Sequence, residues 1–144
     1  MTRAPATSAP RPVLFGLTPE SRAALGGVEQ AMDHLPFRVG RESRQVQKAA
    51  GRVVTERRRS GTPPTNDLYL VDPTEPLNVS REHFLIVHNG AHYVLVDRQS
   101  ACGTIVEGVV VGGGKTGGAV PLHDGDVIIV GSAASPYVFK FRLR

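Results

Sequence analysis

At 144 residues and 15.4 kDa, the chain is long enough to bury one substantial core and too short for two. Sixteen glycines, eleven prolines and no tryptophan favour short strands joined by tight turns over a helical bundle. The formal charge of +4 is concentrated between Arg41 and Arg59, where seven basic residues face two acidic ones, so one local segment rather than a whole basic face carries it.

That distribution argues against nucleic acid as the main partner, and binding through 41–59 stays a secondary alternative. The single cysteine, Cys102, excludes an intramolecular disulfide. No stretch has the layout of a signal peptide or the length of a membrane span, so the expectation is a cytoplasmic protein without a membrane partner.

In chain order, residues 1–12 lack periodicity and read as a disordered tail. Residues 13–35 read as a short strand and a helix packing on the domain. Thr18, Pro19 and Glu20 give the helix an N-cap, a first-turn proline and an acid at the positive dipole end. Leu25, Val28, Met32 and Leu35 extend it, by spacing, to about His34, where Pro36 stops it. Residues 36–144 form the main domain. Phe37 and Val39 lead as a strand into Gly40-Arg41, a turn that uses glycine's conformational freedom. An insertion at about 42–65 follows, read as a basic amphipathic helix or a disordered segment. Leu68–Val71 is a short apolar run. Phe84–His88 and Tyr93–Asp97 alternate on either side of Asn89-Gly90, the hairpin signal of the chain. Further strands are expected at 104–106, 109–111, 119–121, 127–130 and 137–142, with a tight turn at Asp124-Gly125. The fold class is therefore all-β, a two-sheet antiparallel β-sandwich of roughly ten short strands with an N-terminal helix and a basic insertion.

The residues that carry chemistry centre on Asn78 to His83. Ser80 offers a hydroxyl and Arg81 a fork of N–H donors, a pairing suited to an anion with several oxygens such as phosphate. Gly112-Gly113-Gly114-Lys115-Thr116 looks like the end of a nucleotide-binding loop, but the required earlier glycine is Val109, and Gly117-Gly118 stand where a helix should begin. It reads as a flexible hairpin connection. Ser80 with His83 has neither an orienting third group nor an oxyanion hole in the sequence, so no catalytic residue is assigned. Five histidines and one cysteine make no recognised metal spacing, and no cofactor is expected.

Over about Pro36 to Leu143 the chain resembles the forkhead-associated (FHA) domain, a phosphothreonine-binding β-sandwich. Gly40-Arg41 matches the family's glycine-arginine pair, and Ser80-Arg81-Glu82-His83 matches its serine, x, x, histidine signature. Gly103-Thr104 and Glu107-Gly108 fall where members read S-T-N-G-T and then N-G, while Leu122, Asp124-Gly125-Asp126, Ile128 and Gly131 match L-x-D-G-D-x-I-x-x-G. The resemblance implies a non-enzymatic phosphopeptide-recognition module for a threonine-phosphorylated partner. It places Arg41, Ser80 and Arg81 on the phosphate, with Gly40, His83 and Gly103 structural. Asn78 stands where the family often has glycine, and asparagine tolerates left-handed backbone. Ala101 and Cys102 replace the family's threonine and asparagine. Ser100 is the expected substitute for the lost hydroxyl, and Cys102 occupies the position that meets the ligand's backbone. An FHA-like scaffold that binds without phosphate is the alternative.

Overall fold

Residues that alternate in polarity along the sequence alternate in burial in the computed structural model, which describes residues 11–42, the backbone of 44–47 and 53–56, and residues 65–144. Strands β1 (Pro12–Gly16), β2 (Glu29–Ala31) and β3 (Phe37–Arg41) flank the helix α1 (Pro19–Leu25). They are followed by β4 (Arg44–Gln47), β5 (Val53–Glu56), β6 (Leu68–Leu70), β7 (Phe84–Asn89) and β8 (His92–Asp97). The chain ends with β9 (Thr104–Val106), β10 (Val109–Val111), β11 (Gly118–Leu122), β12 (Val127–Val130) and β13 (Val138–Leu143). One sheet has the order β10-β9-β12-β13-β1-β2 and the other β11-β8-β7-β3-β6. All pairings within them are antiparallel except β3 with β6, which is parallel. Leu14, Val39, Phe84, Ile86, Leu95, Ile128, Phe139 and Phe141 are fully buried in one core cluster between the sheets. Each such side chain contributes about 1.5–3 kcal/mol relative to leaving it in water.

The β7–β8 hairpin forms as expected, with Asn89 opposite His92 and Gly90 at φ 63° in the turn between them. The N-terminal helix is shorter than its apolar spacing implies. Thr18 caps it through Ser21 N–H, but Gly26 adopts φ 75° and ends it by donating to the Ala23 carbonyl. A left-handed glycine satisfies the orphan carbonyls of a helix end, so the pair Gly26-Gly27 overrides the stripe. The chain then turns back as β2 along β1. Met32 is buried while Val28 is 59% exposed, so the two do not share a helical face.

The insertion holds neither of the expected forms where it is described. β4 and β5 pair as an antiparallel ribbon, with Arg44 opposite Glu56 and Val46 opposite Val54. Residues 43, 48–52 and 57–64, including Lys48, Arg52 and the Arg57–Arg59 triplet, lie outside the described residues, as do residues 1–10 of the expected tail. β1 begins at Pro12 and is a full member of the six-stranded sheet through β13. Residues 112–117 are not a hairpin connection, because β10 and β11 belong to different sheets and the loop carries the chain across the sandwich.

These strand directions put four connections at one end. β3 finishes there at Arg41, and 71–83, 98–103 and 112–117 join the strands that run to and from it.

Candidate functional site

Gly40 and Arg41 reach this end because β3 docks on the 80–83 segment by main-chain bonds. Arg41 N–H donates to the Ser80 carbonyl at 2.9 Å, and His83 N–H to the Val39 carbonyl at 3.0 Å. Glycine is required at 40 by close approach rather than by backbone angle. A Cβ there would sit 2.0 Å from the Arg81 carbonyl oxygen and 2.7 Å from Asn66 Nδ2, and Gly40 is not among the positive-φ glycines. Asn66 uses the space, donating to the Arg81 carbonyl at 2.7 Å while accepting from Arg98 at 2.9 Å.

His83 is buried at the centre of the loops, and its partners fix its tautomer. Ser80 N–H can only donate, so Nδ1 at 2.9 Å is the acceptor; the Gly103 carbonyl can only accept, so Nε2 at 2.7 Å carries the proton. The ring thereby ties the 80–83 loop to the 98–103 loop. Burial pushes its pKa below the ordinary value near 6.5, against the pull of the Gly103 carbonyl and of Asp97 and Asp72. The folded protein therefore binds fewer protons at this site than the unfolded chain just below pH 6.5. Its contribution to stability is complete above pH 6.5 and is lost as pH falls toward the folded pKa. The expected result is an Nε2–H tautomer by NMR whose titration midpoint lies below that of an unstructured histidine, with stability that falls as pH drops below 6.5; a His83 that titrates normally without loss of stability contradicts the assignment.

Ser80 Oγ accepts Ala101 N–H at 3.0 Å, so the hydroxyl is held in place while its own proton has no acceptor among the described residues. Arg41 is half-buried and Arg81 exposed. Burial first, and then the neighbouring Arg81 charge, push the Arg41 pKa below its ordinary value, while Asp72 opposes them. Glu82, the adjacent carboxylate, is engaged by Arg98 at 3.4 Å, and among the described residues no carboxylate pairs with Arg41 or Arg81. Ser80, whose hydroxyl proton is not used within the described fold, is thus the sequence neighbour of Arg81 and the main-chain partner of Arg41, a guanidinium that Arg81 repels and Asp72 attracts.

Two expectations about this end are corrected. Ser100 is fully buried, donating to Asp97 Oδ2 at 2.6 Å and accepting from Gly103 N–H at 2.9 Å, so it braces the loop from within and offers nothing to a ligand. Asn78 does not use left-handed backbone. Its side chain bridges two loops instead, accepting from Ser132 Oγ at 2.6 Å and donating to Thr74 at 3.1 Å. Gly103, at φ 81° and packed near the carbonyls of Val111 and Gly112, is structural in the way glycine permits. Cys102 is partly exposed, its thiol directed at the Leu77 carbonyl at 3.4 Å, and Ala101 is exposed.

Sequence reasoning missed Asp72 and Asp97. The buried Asp72 carboxylate accepts from Thr74 N–H at 2.9 Å, from Asn78 and Val79 N–H at 2.7 Å each, and from the Thr74 hydroxyl, and so shapes the turn ahead of Ser80. The available signal was Asp72-Pro73-Thr74, an aspartate able to bond its own backbone two residues on. Asp97 gathers Ser100 N–H, Ser100 Oγ and Thr104 Oγ1 at the end of β8.

A family model for the FHA domain matches residues 37–131. The chain belongs to the FHA domain family. FHA domains are phosphopeptide-recognition modules, and this one shares its fold with several solved structures. The FHA domain of CT664 protein from Chlamydia trachomatis is 21% identical, with a TM-score of 0.56 over 92% of this chain and 96% of that one. The kinase-interacting FHA domain of the kinase associated protein phosphatase KAPP in Arabidopsis is 22% identical, with a TM-score of 0.59 over 94% of each. Mycobacterium tuberculosis EmbR, solved in complex with a low affinity phosphopeptide, is 22% identical with a TM-score of 0.55; the match covers 92% of this chain and 24% of EmbR. No curated protein matches the chain. Among the described residues, no helix is long and apolar enough to cross a membrane.

Proposed function

We propose that this FHA domain is a non-enzymatic phosphopeptide-binding module that prefers phosphothreonine, with the phosphate held by Arg41, Ser80 and Arg81 and the ligand's main chain passing Cys102. The observation that supports this reading is a serine hydroxyl whose acceptor side is already used by Ala101 N–H, on the loop that bonds the Arg41 main chain, with Arg41 and Arg81 near enough for their charges to repel. Each charge-assisted hydrogen bond to a dianionic phosphate contributes about 1.5–3 kcal/mol. A buried threonine methyl adds about 0.8 kcal/mol over serine, which is the physical source of the preference. The partner is a threonine-phosphorylated protein segment.

Calorimetric titration with a degenerate phosphothreonine peptide library, its phosphoserine counterpart and its unphosphorylated twin tests this. The expected order is phosphothreonine, then phosphoserine a few-fold weaker by the methyl term, then no measurable binding. Equal binding of the unphosphorylated twin would overturn the reading in favour of a phosphate-independent scaffold.

A further inference from the structure

Alternation decides which face of β7 and β8 is buried, but it does not make the other face polar. Phe84, Ile86 and Leu95 are fully buried in the core, while the outward residues beside them are Leu85, Val87, Val94 and Val96, each partly exposed. An antiparallel sheet whose second face meets water ordinarily carries polar residues there, and strands that are apolar on both faces are typically covered on both. The pairing gathers these side chains into one island. Leu85 stands opposite Val96 and Val87 opposite Val94, and on the next strand Ala119 and Pro121 stand opposite Val96 and Val94. Its rim is polar and already neutralised, by Arg38 with Asp67 at 3.1 Å on one side and by Arg98 with Glu82 at 3.4 Å toward the loop end. The one helix among the described residues, α1, packs on β1, β2 and β6 instead.

We infer that this face is where a second copy of the chain docks, the two five-stranded sheets stacking back to back about 10 Å apart as the sheets of a sandwich do. A flat sheet face of branched and small apolar side chains is complementary to another such face, and a copy supplies one. Charge selects the face. At +4 the chain repels itself as a whole, yet around this island Arg38 and Arg98 each have a carboxylate partner. The outer face of the six-stranded sheet is different. Lys140 and Arg142 point out from β13, and Lys140 has no ion pair among the described residues, so two copies meeting there would bring like charges together. Area sets the strength. Five strands about 4.8 Å apart and about 17 Å long offer roughly 400 Å² of flat face, so two copies cover about 800 Å² and more once side-chain relief is counted. That comes close to the threshold of about 1,000 Å² for a specific contact and stays below the range of obligate dimers, so the association is weak and concentration-dependent. The dimer leaves both 80–83 loops free, because they lie at the end of the sandwich rather than on its face.

Sedimentation velocity on the full chain, without any peptide, at about 1 to 500 µM covers the range in which a contact of this size dissociates. The parent should pass from monomer to dimer across it. Leu85→Lys puts a charge into the island on a side chain outside the core, and it should stay monomeric throughout. Val94→Thr with Val96→Thr keeps branched strand formers and adds no charge, so it tests the face even where the lysine variant fails to fold; its dimer Kd should rise about tenfold. Val110→Thr, which removes a 63% exposed valine from the other sheet, should dimerise as the parent does. A parent that is monomeric at the highest concentration overturns the inference and leaves the face to a different partner. Dimers that persist unweakened in the island variants, or that are lost in Val110→Thr, assign the contact to another surface and overturn it as well.

Discussion

Arg41→Ala should weaken phosphothreonine-peptide binding at least tenfold, about 1.4 kcal/mol, without lowering the unfolding temperature. The two halves of this expectation have different grounds. The guanidinium's contact within the described fold is one long hydrogen bond, 3.4 Å from Nη1 to the Val79 carbonyl. Its surroundings disfavour the charge, since burial and the Arg81 charge both depress its pKa. Removing it from the free protein therefore relieves repulsion, whereas removing it from the complex leaves phosphate oxygens unpaired beside Ser80. A residue kept for structure alone would show the opposite pattern, losing stability while keeping affinity. Arg41→Lys should recover part of the loss, because a point charge restores attraction but not the planar fork. Calorimetry and thermal unfolding on the same preparations decide it, and wild-type affinity in Arg41→Ala would move the anion grip elsewhere. Ser80→Ala is expected to fall in the same range, but it also frees Ala101 N–H, which makes Arg41 the cleaner probe.

Much of the frame was legible because the signals were local. Strict alternation on both sides of Asn89-Gly90 gives β7 and β8 their register, and the Gly40-Arg41 motif at the end of β3 meets the Ser80 to His83 motif on the loop before β7. The errors come from positions where two local signals compete or where direction is set by tertiary contact. Leu25, Val28, Met32 and Leu35 have helical spacing, but Gly26-Gly27 costs a continuing helix roughly 2 kcal/mol and supplies the left-handed cap that ends it. Val46, Val53 and Val54 fit either period, and the cross-strand pairs of the β4–β5 ribbon, invisible in spacing, select the strand. Ser100 shows the second kind of failure. A loop hydroxyl beside a binding site has no periodicity to say whether it faces solvent or core, and here the Asp97 carboxylate turns it inward. Gly40 was read for backbone freedom when its role is to let the Arg81 carbonyl approach, a reason that needs the partner segment in place.

The departure from the family at 101 and 102 yields the second large effect, in the opposite direction. Ala101→Thr with Cys102→Asn should tighten phosphothreonine-peptide binding about tenfold, and the matching unphosphorylated peptide far less. The structure supplies the conditions for this. Ala101 is exposed on a loop whose position is set by bonds that do not involve its side chain, its N–H to Ser80 Oγ and its carbonyl to Gly114 N–H. A hydroxyl added there stands next to Ser80, the residue proposed to hold the phosphate. Cys102 is partly exposed, and its 3.4 Å contact with the Leu77 carbonyl is a weak sulfur hydrogen bond that an amide donor can replace, so asparagine does not enter the core unsatisfied. Each new polar contact has a net worth of about 0.5–1.5 kcal/mol, more for the hydroxyl because its partner is charged. Isothermal titration of the double variant against both peptides separates the outcomes. An equal gain for both would assign the effect to the ligand's backbone alone. No gain for the phosphorylated peptide in a variant that unfolds like the parent would mean that the 100–103 loop does not read a ligand, and the phosphate-independent scaffold would then describe this end of the sandwich better.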